Sequence, residues 1–255
     1  MFLPSSVHPD HAAVAAGVRT LVLVPTYNER ENLPSLVRAV MAHAGFSVMV
    51  VDDQSPDGTG AVADALALEF PGRVEVLRRT GRKGLGRSYI EALTLARARD
   101  EDFVCQMDAD WSHDPQYLPD LVHAAVNGQL DLVIGSRYMQ GISVVNWPLR
   151  RLILSAFANR YIRAVTHLPA HDCTSGFRCW RRAALSRIPL DRIVSEGYAF
   201  LVEMLFEAHR RGCRIGESPI IFVERRMGRS KMSRGVILES VYMPWRLALR
   251  KATGR

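Results

Sequence analysis

Short runs of β-branched and other apolar residues alternate with longer stretches of helical period from residue 20 to about residue 135. Thr20–Pro25 (TLVLVP), Ser47–Val51 (SVMVV), Val74–Leu77, Phe103–Met107 and Leu130–Ile134 read as buried strands. Between them, Asn32–Ala44 puts Leu33, Leu36, Val37, Val40 and Met41 on one helical face, and helices are predicted over Ala61–Phe70, Gly86–Arg99 and Tyr117–Val126. Near-continuous apolar strands separated by helices predict an α/β fold built on a mostly parallel sheet covered on both faces. Ligands of such sheets bind beyond the carboxyl ends of the strands, so the residues that follow each strand are the candidates for chemistry.

Beyond residue 140 the rhythm changes. Pro148–Val165 is predicted helical, with Arg150, Arg151, Arg160 and Arg163 set among Leu149, Leu152, Ile153, Phe157 and Tyr161. The segment DCTSGFRCW follows, then a helix from about Gly197 to Arg211 and a strand around Ile215–Val223. The predicted organisation is a disordered segment over 1–18, one domain over 19–232 and a basic helical appendage over 233–255. The 255 residues carry 33 Lys and Arg against 26 Asp and Glu, a net charge of +7. That excess suits nucleic acid, an anionic membrane face or phosphorylated ligands alike. No run approaches the roughly 18 apolar residues of a membrane span. The N-terminus has neither the basic nor the apolar region of a secretory signal. Cys105, Cys173, Cys179 and Cys213 lack metal-finger spacing and read as reduced thiols of a cytoplasmic protein.

Candidate chemistry gathers at the strand ends. Pro25-Thr26-Tyr27-Asn28-Glu29 leaves the first strand, Asp52-Asp53 the second and Asp108-Ala109-Asp110 the fourth. Glu29, Asp52, Asp53, Asp108 and Asp110 would crowd one sheet edge, which costs free energy unless a cation binds or pKa values rise. Mg²⁺ or Mn²⁺ suits such a place, because it takes one or two carboxylates and completes its shell with phosphate oxygens and water. Asp57 and Gly58 fit ordinary turn and helix-capping chemistry, and His113 reads as a turn residue. Lys83-Gly84-Leu85-Gly86-Arg87-Ser88 opens a helix whose amides suit an anion or simply start the helix. Arg137 follows the fifth strand, and Arg151 and Ser155 stand four apart on one helix face. Two guanidinium groups and a hydroxyl suit a phosphate monoester, and a snorkelling surface arginine is the alternative for Arg151.

The motifs PTYNEREN, DDQSPDGT, KGLGRSY, MDADWSHDP, GSRY, SGFR and FVERRMGRSK occur in this order over about residues 20 to 231. Together they resemble the dolichol- or polyprenol-phosphate mannose synthases, inverting glycosyltransferases of the GT-A type. The resemblance implies a GT-A-like domain that transfers mannose from GDP-mannose to a polyprenyl (dolichyl) phosphate with Mg²⁺ or Mn²⁺. It puts the donor on Pro25, Tyr27, Glu29, Val51, Asp53, Asp108, Ala109 and Asp110, with Arg225 and Lys231 over the phosphates. Asp108, Asp110 and Ser112 would serve the metal, and Arg137, Arg151 and Ser155 the acceptor phosphate. Asp110, Arg137, Arg151 and Lys231 would carry catalysis. Arg178 is either structural or near the phosphates. Glu196 stands where the family frequently has Lys, and the departure implies a different sugar or nucleotide preference. The acceptor's lipid tail implies peripheral contact with the cytoplasmic face of a membrane, through Trp147–Val165 and Val236–Lys251.

Rival readings are a polyprenyl-phosphate glucosyltransferase using UDP-glucose, a nucleotide-sugar-binding protein without turnover, and a basic nucleic-acid-binding protein. The last lacks aromatics interleaved with basic residues and gives no reason for carboxylates at the strand ends.

Overall fold

A computed structural model describes residues 9–224 and 242–250. The chain enters through helix α1 (Pro9–Ala16) and then alternates β1 (Thr20–Thr26), α2 (Leu33–Met41), β2 (Phe46–Asp52), α3 (Thr59–Glu69), β3 (Val74–Arg78), α4 (Leu85–Ala96), β4 (Phe103–Gln106), α5 (Leu118–Asn127) and β5 (Leu132–Ser136). A second stretch adds β6 (Val144–Val145), α6 (Leu149–Thr166), β7 (Arg178–Arg181), α7 (Arg182–Leu185), α8 (Gly197–Arg210), β8 (Ile215–Pro219) and β9 (Phe222–Val223). A last helix covers 242–250.

Seven strands form one sheet in the order β3-β2-β1-β4-β7-β5-β8. Every pairing in it is parallel except those of β7, which runs antiparallel to β4 and β5. The period of two explains the apolar runs. Leu21, Leu23, Met49 and Val51 face a layer that includes Tyr89, Leu93, Phe200 and Leu205. Val22, Val24, Val48 and Val50 face Leu36, Val40, Leu66 and Leu121 on the other side. Both faces of these strands are buried, so residues of both parities are mostly apolar.

Three features depart from the sequence reading. The N-terminal 1–18 segment, expected to be disordered, contains α1 over 9–16. Its register is invisible in an Ala-rich stretch, and it docks through polar contacts: His11 Nδ1 lies 2.7 Å from Asp120 Oδ1, and the His11 ring stacks on His123 at 3.7 Å. Strand β7 hides within SGFRCWR because Arg178, fully buried, spends its guanidinium on the carbonyls of Ser175, Leu201 and Cys173. That assigns Arg178 to structure. The single strand expected over Ile215–Val223 is two, since the chain leaves the main sheet after Pro219 and β9 pairs with β6 in a separate two-stranded ribbon. This ribbon carries Phe222 and Glu224 back toward the carboxyl edge of the main sheet. Of the expected appendage, the helix over 242–250 buries Met243 and Leu247, and Arg250 Nη1 donates to the buried Glu203 Oε1 at 2.7 Å.

Candidate active site

The exits of β1, β2, β4 and β5 open into one cleft of about 480 Å³. Three of these exits turn through left-handed residues that are not glycine, Asn28 (φ 61°), Gln54 (φ 60°) and Trp111 (φ 64°). Such backbone is sparsely populated for side-chain-bearing residues and collects where a fold must aim groups at a site. Pro25, Tyr27, Glu29, Asp53, Asp108, Ala109, Asp110 and Ser112 line one wall. Arg137, Trp147, Arg151, Thr174, Phe222 and Glu224 line the other.

On the first wall the carboxylates have distinct partners. Asp53 is buried against Arg79: its Oδ1 accepts from Arg79 Nη1, and its Oδ2 accepts from the Gly84 amide at 2.8 Å. Arg79 also reaches Ser88 Oγ at 3.1 Å, Glu91 Oε2 at 2.9 Å and the Arg82 carbonyl at 3.0 Å, so this pair pins the KGLGRS loop. Gly84 sits there with φ 147°, conformational space that a side chain rarely takes. Lys83 Nζ lies 4.6 Å from the centre of the Tyr27 ring and donates to the Gln54 carbonyl at 3.2 Å. Glu29 Oε2 accepts from Asn32 Nδ2 at 2.8 Å, and the Glu29 amide donates to Thr59 Oγ1 at 3.0 Å. Asp57 caps the same turn through the Thr59 amide and hydroxyl; burial pushes its carboxyl up, but these bonds hold it below the ordinary aspartate range. Asp52 lies off the cleft, buried beside Thr26 with Arg78 at 4.0 Å. The acidic crowding expected from the sequence is thus partly relieved by arginines.

Asp108 and Asp110, just after β4, also line the cleft. Asp110 Oδ1 accepts from the Ser112 hydroxyl at 2.6 Å and the Ser112 amide at 3.1 Å, so Ser112 orients Asp110 first of all. His113 is no mere turn residue. Its Nδ1 accepts the Asp108 amide proton at 3.1 Å, which leaves its own proton on Nε2, and its ring stacks on Phe177 at 4.9 Å. Burial drives its pKa down against the pull of Asp108 and Asp110, keeping the ring neutral. Tyr89 Oη donates to Asp108 Oδ1 at 3.4 Å, and burial and that carboxylate push the phenol well up. Gly176 leaves room here: a Cβ on it would stand 3.7 Å from both Asp108 oxygens. The donor set fits Mg²⁺ or Mn²⁺, with two hard carboxylates open to the cleft and, among the described residues, no cluster of three or more His, Cys, Asp or Glu to close a cage. Such ions keep positions for phosphate and water.

The arginine wall is built differently. Arg137 is gripped by the fully buried Asp172, with Nε to Oδ2 and Nη2 to Oδ1 both at 2.7 Å, and Nη2 also reaches Thr174 Oγ1 at 2.8 Å. Burial raises the Asp172 pKa, and the Arg137 guanidinium outweighs that and holds the carboxyl below its usual range. Arg151 pairs with Glu224, and its guanidinium carbon lies 4.1 Å from the centre of the Trp147 ring. The Arg137 carbon lies 5.5 Å from the same ring. The indole N–H of Trp147 is buried with no acceptor among the described residues. Asn159 ties α6 to this wall, accepting from the Cys173 amide at 2.8 Å and donating to Thr174 Oγ1 at 3.2 Å.

Two expected site residues stand back from the cleft. Val51 is fully buried in the core. Ser155 Oγ accepts from Tyr138 Oη at 2.7 Å behind the arginine wall. Arg225 and Lys231 lie outside the described residues. Glu196, the departure noted in the sequence, has its Oε1 3.4 Å from Arg82 Nη2, beside the loop that opens α4. The residues that sequence reasoning missed are Arg79, Trp147, Asp172 and Glu224. Arg79, directly after β3, and Glu224, directly after β9, obey the strand-end rule that would have found them.

The profile of the family described as Glycosyl transferase family 2 matches residues 21–188. A polyprenol monophosphomannose synthase of Mycolicibacterium smegmatis is 46% identical over 234 residues, spanning 91% of this chain and 88% of that protein. An undecaprenyl-phosphate mannosyltransferase of Micrococcus luteus is 46% identical over 236 residues, spanning 91% and 96%. Among solved structures, glucosyl-3-phosphoglycerate synthase of Mycobacterium tuberculosis with Mn²⁺, UDP and phosphoglyceric acid aligns at TM-score 0.69 and 20% identity, covering 99% of this chain and 84% of that one. Mannosyl-3-phosphoglycerate synthase of Rubrobacter xylanophilus aligns at TM-score 0.67 and 17% identity, covering 96% and 79%. Both structures are similar in fold.

Proposed function

The chain belongs to glycosyl transferase family 2, and from that premise we propose that it moves mannose from GDP-mannose to the phosphate of a polyprenyl (dolichyl) phosphate, with inversion at the anomeric carbon. The observation that carries this reading is one cleft lined both by the Asp108 and Asp110 carboxylates and by the Arg137 and Arg151 guanidinium groups. The two mannosyltransferase relatives at 46% identity support the sugar and the acceptor class.

On the donor wall, Pro25, Tyr27, Glu29 and Asp53 would receive the nucleoside, with Val51 supporting it from behind. Asp108, Ala109 and Asp110 would meet the diphosphate and the sugar, and Arg225 and Lys231 would add positive charge to the leaving group. Asp108 and Asp110, with Ser112 orienting the latter, would hold Mg²⁺ or Mn²⁺. The bound ion supplies charge neutralisation to the departing diphosphate. On the acceptor wall, Arg137 and Arg151 align the attacking phosphate oxygen, with Ser155 bracing the helix that carries Arg151. A phosphate monoester has its second pKa near ~6 and attacks as a dianion at neutral pH, so the reaction needs no strong general base. That agrees with a His113 whose Nδ1 is occupied and whose ring is kept neutral.

No helix among the described residues is long and apolar enough to cross a membrane. On the proposed reading, the lipid acceptor is met by peripheral contact at the cytoplasmic face of the membrane. The outer face of α6 exposes Leu149, Ile153, Leu154 and Phe157 among arginines, in keeping with an interfacial helix.

Transfer of radiolabelled mannose from GDP-mannose into a polyprenyl phosphate lipid phase tests the reading. Label should enter the lipid with Mg²⁺ or Mn²⁺ present, and neither the chain in EDTA nor its Asp110→Asn variant should transfer any. Full turnover in EDTA contradicts the metal role, and no transfer under any condition contradicts the function.

A further inference from the structure

The two arginines of the acceptor wall are neutralised in unequal ways. Arg137 and Asp172 form a closed pair, with side chains 6% and 0% exposed and two parallel hydrogen bonds. No ligand carboxylate or phosphate displaces a partner so deeply buried without a large desolvation cost. Arg151 and Glu224 are each 27% exposed, and one contact joins them, Nη1 to Oε2. Glu224 sits just past β9, anchored by its amide to the Val145 carbonyl at 3.2 Å, and its side chain lines the cleft together with Arg151. The Arg151 guanidinium carbon also lies 4.1 Å from the centre of the Trp147 ring, a contact independent of the carboxylate.

We propose that Glu224 is an exchangeable stand-in for the acceptor phosphate: its carboxylate occupies Arg151 in the empty cleft and yields the guanidinium when a phosphate monoester enters. The inference rests on Arg151 being an acceptor contact, as proposed above. A dianionic monoester offers more charge and more acceptor oxygens than a carboxylate, so the exchange favours it. A singly charged carboxylate ligand gains nothing over the group it must displace. Glu224 thereby lowers affinity for every anion and selects for the doubly charged one, a specificity obtained by competition within the site.

Calorimetric titration of the full chain with geranyl phosphate, a soluble prenyl phosphate, tests this without turnover. Glu224→Gln should bind about two- to fivefold more tightly, the worth of a partly exposed ion pair, and Glu224→Asp should bind like the parent. Arg151→Ala should bind about tenfold or more weakly, as expected for a lost charge-assisted contact. The double variant Arg151→Ala/Glu224→Gln should bind about tenfold or more weakly than Glu224→Gln, because the gain needs the Arg151 guanidinium. Binding by Glu224→Gln that is unchanged or weaker overturns the stand-in and makes Glu224 inert or a support for Arg151. If Arg151→Ala binds like the parent, the acceptor assignment of Arg151 fails first and the stand-in falls with it.

Discussion

Arg137 reaches the cleft only because Asp172, 35 positions later, meets it inside the protein. Removing one member of a buried pair leaves the other charge uncompensated, so Asp172→Asn should lower the unfolding free energy by about 3–5 kcal/mol in urea titrations at neutral pH. The pH dependence has a definite sign. The folded carboxyl titrates below its ordinary range, so its contribution is complete above the unfolded pKa of about 3.9 and is lost as pH falls through the lower, folded value. The gap between parent and Asp172→Asn should therefore stay constant from neutral pH to about pH 5 and shrink below pH 4. A gap that widens on acidification would show that the pair is not ionised. Residues of this kind explain the limits of the sequence reading. Asp108, Asp110 and Arg137 follow strands, and position alone marks them. Asp172 matters through a partner 35 positions away, and nothing local distinguishes it from a loop acid; Glu224 does follow a strand, but its role depends on a partner 73 positions away.

At the scale of elements, strand exits and helix starts assemble the donor wall, and all of these were legible because β1, β2 and β4 are buried on both faces. Strand β7 was not, since Arg178 and Arg181 give it a charged sequence while each guanidinium is spent on backbone carbonyls. Strands β6 and β9, two residues each, are too short to show a period. Helix α6 was legible as a helix, and its geometry adds a division. Its buried residues, Asn159, Ile162 and Thr166, all lie in its C-terminal half. The N-terminal half exposes Leu149, Ile153 and Phe157 at steps of four, beside the Trp147 and Arg151 of the cleft. Such a stripe suits the headgroup boundary of a bilayer. The variant Ile153→Ser/Phe157→Ser should sediment with vesicles of anionic phospholipid about tenfold less, given the apolar area removed, with its thermal midpoint unchanged. Equal sedimentation would exclude α6 as the contact.

For the whole molecule, the sheet brings carboxylates and guanidinium groups from separate strand exits into one cleft. The carboxylates follow β1, β2 and β4, which are parallel neighbours, and Arg137 follows β5 across the antiparallel β7. The ribbon of β6 and β9 then sets Trp147 and Glu224 against Arg151. Transfer between two phosphorylated substrates asks for this division, since each anion needs its own counter-charge while a sugar passes between them. The central claim is that the sugar is mannose, the carrier GDP and the acceptor a polyprenyl phosphate. Mass spectrometry of the lipid product tests all three together when the chain, Mg²⁺ and polyprenyl phosphate are given equal amounts of GDP-mannose with an isotope-labelled hexose and unlabelled UDP-glucose. The account predicts one product, polyprenyl phosphate enlarged by the labelled hexose; a product carrying the unlabelled hexose, or no glycosylated lipid at all, would contradict it.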